Sequence, residues 1–149
     1  MIAKFTQSHL EQWWPSLEKM AQQFHAEVSG QQGAFAVNNF KDYIRRMMDN
    51  GALHCFALWL DGVPCEVIGM LRYDDPFLGK PCATLLFWWL NGRHNSSGKL
   101  YLEAEAWAEE AGCAKINVAS PVVDKYVKAH QFYKMMGFEV AEVAYSKTL

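Results

Sequence analysis

The chain has no excess of basic side chains: 14 Lys and Arg stand against 16 Asp and Glu, for a formal charge of -2. Tracking a phosphate backbone needs such an excess, so a dedicated nucleic-acid binder is excluded. Long apolar runs are also missing. The longest, Ala83 to Leu90 with Thr84 inside it, falls far short of the roughly 20 residues of a membrane span. The start, Met1-Ile2-Ala3-Lys4-Phe5-Thr6, lacks the apolar h-region of a secretory signal. The four cysteines Cys55, Cys65, Cys82 and Cys113 form no CxxC pair and no Cys/His cluster at metal-ligand spacing, so neither a metal site nor a disulfide framework is expected. A soluble, cytoplasmic protein with no nucleic-acid or membrane partner is the expectation.

What is present is apolar and aromatic material, 51% and 14% of 149 residues, enough for a buried core. No repeat, low-complexity tract or linker-like stretch divides the sequence, so residues 1-149 are read as a single domain. A short strand, Ile2 to Thr6, precedes a helix in which Leu10, Trp13, Trp14, Leu17, Met20 and Phe24 step at three and four, with Pro15 as a kink or restart. The segment Val28 to Phe35 reads as a loop. A second helix carries Val37, Phe40, Tyr43, Ile44, Met47 and Met48 and stops at Asn50-Gly51.

The period then changes. Leu53 to Leu60 and Val63 to Tyr73 flank Asp61-Gly62, a two-residue hairpin signal. The implied register sets Leu60 opposite Val63, Leu58 opposite Cys65, Ala57 opposite Glu66 and Cys55 opposite Ile68. Ala83 to Leu90 reads as a central strand covered on both faces. A helical stripe follows from Ser97 to Ala111, closed by Gly112, then a strand from Lys115 to Ala119. Asp124 is the expected N-cap of a last helix carrying Tyr126, Ala129, Tyr133 and Met136; Gly137 stops it before a strand from Phe138 to Tyr145. The fold class is α+β, a mixed central sheet flanked by helices.

Strand, turn, helix and parallel strand make a crossover unit, whose turn presents the N–H groups of a helix N-terminus. The turn after Leu90 reads Asn91-Gly92-Arg93-His94-Asn95-Ser96-Ser97-Gly98-Lys99. Its small residues allow close backbone approach, and Arg93, Lys99 and the helix dipole all favour an anion such as a pyrophosphate. It is neither a Walker loop nor GxGxxG.

Arg93-x-x-Ser96-x-Gly98 resembles the Arg/Gln-x-x-Gly-x-Gly/Ala turn of the GNAT superfamily of acyl-CoA-dependent N-acetyltransferases, with Ser96 in place of the first glycine. Ala129 and the stretch His130-Gln131-Phe132-Tyr133-Lys134-Met135-Met136-Gly137-Phe138 resemble that family's closing Ala-x-x-Phe-Tyr-x-x-x-Gly-Phe signature. Tyr126 stands where many members carry an asparagine. The resemblance implies a GNAT-like fold and acetyl-CoA as the acyl donor, bound by Trp88, Leu90, Arg93, His94, Asn95, Ser96, Ser97, Gly98 and Lys99.

The implied reaction is direct attack of a primary amine on the thioester carbonyl, with a backbone N–H near Trp88 as oxyanion donor. Tyr133 is the expected catalytic acid, protonating the CoA thiolate as it leaves. The acceptor is a small-molecule or peptide amine, and the aromatic surface leaves room for a homodimer face. No general base is legible: Ala83 to Leu90 carries no acid, and Glu66 is read as an edge residue facing solvent. His25, Glu27, Asp74, Asp75 and Phe77 fall in loops that would border the acceptor. That missing carboxylate keeps a second reading open, a catalytically silent GNAT-like binding or structural module.

Overall fold

The computed structural model describes residues 1–28, 35–91, 98–120, 127–147 and 149. They fall into two compact units, Met1–Val118 and Ala119–Leu149. The first opens with β1 (Ile2–Phe5), α1 (Gln7–Val28) and α2 (Val37–Asp49). Then come β2 (Leu53–Leu60), β3 (Val63–Asp75), β4 (Lys80–Leu90), α3 (Lys99–Glu110) and β5 (Ile116–Val118). The second unit holds α4 (Val127–Met135). Helix α1 runs through Pro15 without a break.

The five strands form one sheet in sequence order, antiparallel from β1 to β4 and parallel between β4 and β5. One face carries Cys55, Ala57, Val67, Phe87 and Trp89 against Leu10, Trp14, Leu17, Met20 and Ala21 of α1 and Ile44 of α2. The other face receives α3, whose Leu100, Tyr101, Ala104 and Ala108 are buried. There the Trp107 ring lies 4.4 Å from His54 and 6.2 Å from Phe56. Coverage on both faces explains why β3 is buried from Pro64 to Met70 without alternation.

The β2–β3 turn has the expected form: Asp61 and Gly62 both take positive φ, 51° and 76°, the geometry whose twist matches the flanking strands. The register beyond it departs from the simple hairpin. Leu60 faces Val63 and Trp59 faces Pro64, but a shift at Leu58/Trp59 then sets Leu58 opposite Glu66, Ala57 opposite Val67 and Cys55 opposite Gly69. Cys65 is the extra residue of a β-bulge, which exchanges the faces of everything after it.

Three helices end alike. After α2, Gly51 donates to Met48 O and Ala52 to Met47 O; after α3, Gly112 donates to Glu109 O and Cys113 to Ala108 O; after α4, Gly137 donates to Lys134 O and Phe138 to Tyr133 O. Each is a Schellman cap, with its glycine at φ of 74°, 74° and 90°. The strand expected from Phe138 to Tyr145 is absent: residues 138–147 carry no strand, and Val140, Val143 and Tyr145 are exposed. Extended sequence becomes a strand only when a neighbour completes its ladder.

Candidate active site

Among the described residues, strand β4 pairs with β5 at Ala83, Thr84 and Leu85 alone, opposite Ile116, Asn117 and Val118. On its other side it stays paired with β3 as far as Leu90. A second bulge interrupts that ladder: Gly69 faces Phe87 and Met70 faces Leu85, leaving Leu86 as the additional residue. Past the bulge, the Asn91 N–H donates to Cys65 O at 2.9 Å, across to β3. Because alternate N–H groups share a side, Trp89 points the same way, and the N–H groups of Trp88 and Leu90 point toward the side on which the β5 ladder has ended.

The side chains alternate likewise. Trp89 packs into the α1/α2 core, its ring 4.0 Å from Phe87 and 5.7 Å from Phe40. Its indole Nε1 is buried with no hydrogen-bond partner among the described residues. Trp88 faces α3 and stacks on Tyr101 at 6.1 Å. Its Nε1 donates to Glu66 Oε1 at 2.6 Å. Glu66 is 1% exposed, a buried acid on an interior strand rather than the solvent-facing edge residue expected. It is buried because β3 lies between β2 and β4 with both faces covered; the bulge at Cys65, which moves Glu66 from the register of Ala57 to that of Leu58, sets the face on which it meets Trp88. Its signal in the sequence was a lone acid inside an otherwise apolar stretch, Val-Pro-Cys-Glu-Val-Ile-Gly-Met.

Arg93, His94, Asn95, Ser96 and Ser97 lie outside the described residues. The end of that turn is described: Gly98 is buried, caps α3 at φ 76° and accepts the Leu102 N–H at 3.2 Å, while Lys99 is exposed at the first helical position. The first turn of α3 holds no acid, so nothing there opposes an anion at the positive end of the helix dipole.

Tyr133 sits three residues before the cap of α4. Its carbonyl accepts the Phe138 N–H at 2.9 Å and its ring lies 5.5 Å from Phe138 and 5.7 Å from Phe132. The spacing Tyr133-x-x-x-Gly137-Phe138 is thus the chemistry of a helix stop: a left-handed glycine between two residues whose side chains meet across the cap. Burial of the phenol pushes its pKa up to about 12, so it is held protonated through neutral and moderately alkaline pH.

Of the residues expected in loops near an acceptor, His25 and Glu27 lie instead in α1, and Asp74 and Asp75 close β3; Asp75 has a structural task. Its Oδ1 accepts the Phe77 and Leu78 N–H groups at 2.8 and 2.9 Å, and its Oδ2 lies 3.4 Å from Lys115 Nζ. The Leu78 N–H above all, aided by Phe77 and Lys115, holds its carboxyl below the ordinary range. Phe77 projects fully into solvent at the hairpin tip. His25 stacks on Phe35 at 5.0 Å; the Glu27 side chain lies outside the described residues. Cys55, Cys65, Cys82 and Cys113 are free thiols, and burial pushes Cys55 up to about 12, far from a nucleophile's range. Among the described residues no three His, Cys, Asp or Glu are grouped to hold a metal, and no helix is long and apolar enough to cross a membrane.

The family model for GNAT acetyltransferases matches residues 11–138. Solved structures with the same fold include a ribosomal-protein-alanine N-acetyltransferase from Brucella melitensis biovar Abortus, at TM-score 0.71 and 14% identity, covering 100% of this chain and 99% of that one. An aminoglycoside 6'-N-acetyltransferase from Acinetobacter haemolyticus aligns at TM-score 0.68 and 16% identity, again over 100% and 99%. A GNAT family acetyltransferase from Staphylococcus aureus aligns at TM-score 0.70 and 13% identity, over 100% and 98%. No curated protein sequence matches the chain.

Proposed function

Because the chain belongs to the GNAT acetyltransferase family and has its fold, we propose that it transfers an acetyl group from acetyl-CoA to a primary amine, with residues 1-149 acting as one domain. The observation that carries this reading is the place where β4 and β5 part company. The β5 ladder ends at Leu85, and the N–H groups of Trp88 and Leu90 face the side it leaves. A thioester oxygen set against that side meets oriented backbone donors, which stabilise the charge that develops as the amine attacks. The α3 N-terminus, with Gly98, Lys99 and no acid in its first turn, suits the pyrophosphate. Arg93, His94, Asn95, Ser96 and Ser97 complete that cradle in this proposal.

Acetyl-CoA supplies an acyl carbon with a good leaving group. The amine forms the new C–N bond, the C–S bond breaks, the thiolate takes the Tyr133 proton, and the proton lost by the amine nitrogen passes to solvent, from which the Tyr133 phenol is restored. The Tyr133 phenol is present as the acid at working pH, as a proton donor must be. Glu66 is engaged by Trp88 and is not offered as the base. The acceptor class is a small-molecule or peptide amine, the two kinds represented by the aminoglycoside and ribosomal-protein enzymes of the same fold. Free thiols at all four cysteines support a cytoplasmic setting.

Thermal unfolding with and without acetyl-CoA tests the donor. At a hundred times its Kd the ligand adds about 2.7 kcal/mol, or roughly 3–6 °C for a domain of this size. No shift at millimolar acetyl-CoA sinks the reading. Release of free CoA across a panel of amines then separates an enzyme from a binding module; a parent that binds but never turns over is the latter.

A further inference from the structure

The buried carboxylate of Glu66 has no part in the transfer described above, yet it is 1% exposed in the middle of the sheet. Withdrawing an acid side chain from water is costly unless hydrogen-bond partners replace the water. One such partner is the indole N–H of Trp88, at 2.6 Å, diagonal to it across β3 and β4. The indole is in turn stacked on the fully buried Tyr101, whose hydroxyl donates to Glu105.

The position of this pair in the sheet gives it a task. Among the described residues β4 has no β5 partner from Leu86 onward, and the bulge between Gly69/Phe87 and Met70/Leu85 separates Trp88–Leu90 from the regular pairing upstream. A strand laddered on one side has one row of backbone hydrogen bonds where an interior strand has two. Side-chain anchors then carry more of the burden of holding it in place. Trp89 anchors the stretch on the α1/α2 face and Trp88 on the α3 face. Among the described residues the Trp89 indole N–H has no partner, whereas that of Trp88 is hydrogen-bonded to Glu66, which fixes the ring in direction as well as depth.

We propose that Glu66 is a positioning residue: by accepting the Trp88 indole N–H it fixes the β4 stretch Trp88–Leu90, whose outward N–H groups hold the acyl end of acetyl-CoA. The inference rests on the donor reading above, and it separates the acyl end from the phosphate end. Loss of the anchor disturbs recognition of the acetyl thioester while the cradle at α3 still holds CoA.

Calorimetry with acetyl-CoA and with free CoA reads this directly, on the parent, Glu66→Gln, Glu66→Leu and Trp88→Phe. Glu66→Gln keeps an acceptor oxygen and stays within about twofold of the parent for both ligands. Glu66→Leu weakens acetyl-CoA about fivefold to tenfold, the scale of one oriented hydrogen bond lost, and shifts free CoA less than about twofold. Trp88→Phe gives the same selective loss, and the double variant adds little to either, because both remove one anchor. Should Glu66→Leu fail to fold, Trp88→Phe against Glu66→Gln carries the comparison. Hydrogen exchange at the amides of Trp88, Trp89 and Leu90 speeds in Glu66→Leu and not in Glu66→Gln. The proposal is overturned if Glu66→Leu and Trp88→Phe leave acetyl-CoA affinity unchanged, or weaken both ligands equally as a merely loosened fold does. A parent that binds neither ligand instead overturns the donor reading, and this inference with it.

Discussion

Gly69 and Phe87 face each other across β3 and β4 with the aromatic ring occupying the space a Cβ would need: a methyl built on Gly69 comes within 2.5 Å of both Cε1 and Cζ of Phe87. The ring cannot swing away cheaply. Phe87 is buried and stacked 4.0 Å from Trp89. Gly69→Ala therefore costs about 1–3 kcal/mol, the range for overpacking a core. Urea unfolding checks this, and Phe87→Leu in the same chain restores part of the loss; equal stability of parent and Gly69→Ala contradicts the packing.

Tyr133→Phe keeps the ring that meets Phe138 and removes only the proton. The expected outcome is a fall in kcat of roughly a hundredfold, within the range for general acid catalysis, with KM for acetyl-CoA nearly unchanged. Initial rates of CoA release measure both. An unaltered kcat removes Tyr133 from the chemistry.

The same phenol makes a prediction about alkali. Its folded pKa of about 12 lies above the ordinary 10, so the folded state favours the neutral form. That contribution to stability is fully present below pH 10 and is lost as pH rises through 12. Ultraviolet titration of the phenolate band in the parent and in Tyr133→Phe isolates the group, and ionisation near pH 10 contradicts the burial.

Asp75 makes the opposite prediction. Its carboxyl is held below the ordinary value of 3.8, first by the Leu78 N–H and then by Phe77 and Lys115. Its contribution is therefore present above pH 3.8 and lost as pH falls through the folded value. Carbon-13 NMR titration of the side chain gives the folded pKa. Asp75→Ala flattens the acid limb of the stability curve and loosens the turn at Phe77 and Leu78.

Gly137 at φ 90° has open space where a Cβ would stand, so its requirement is conformational rather than steric crowding. Gly137→Ala costs about 1–2 kcal/mol, the left-handed penalty for an L residue, and frays the end of α4. Hydrogen exchange at the Gly137 and Phe138 amides reports it.

Those capping glycines show what could be read from residues alone. Asn50-Gly51, Gly112 and Gly137 carry their meaning locally, because a left-handed residue after an apolar stripe has few other uses. Asp61-Gly62 is equally local. The bulges at Cys65 and Leu86 are not, since nothing in Val-Pro-Cys-Glu or Leu-Leu-Phe says which residue will be the extra one. That choice is made by which faces the neighbouring strands and helices can bury. The face of Glu66, and so its pairing with Trp88, follows from the first bulge and was hidden with it; its burial follows from the interior place of β3, which lies beyond local sequence. The Phe138 to Tyr145 pattern named residues able to form a strand, but a strand also needs a partner, which lies beyond local sequence.

The bulge at Cys65 also sets which changes of length this hairpin can accept. Shortening the chain by that one residue would pair Glu66 with Ala57 and carry its carboxylate into the apolar layer under α1 and α2, while Val67 would turn out of that layer toward α3. A point substitution at Cys65 alters one contact; a deletion there turns the whole following strand over. The side chain at position 65, buried with its thiol on Leu58 O, can change with local repacking, whereas the count of residues between the Asp61-Gly62 turn and Glu66 decides which layer every later side chain of β3 enters.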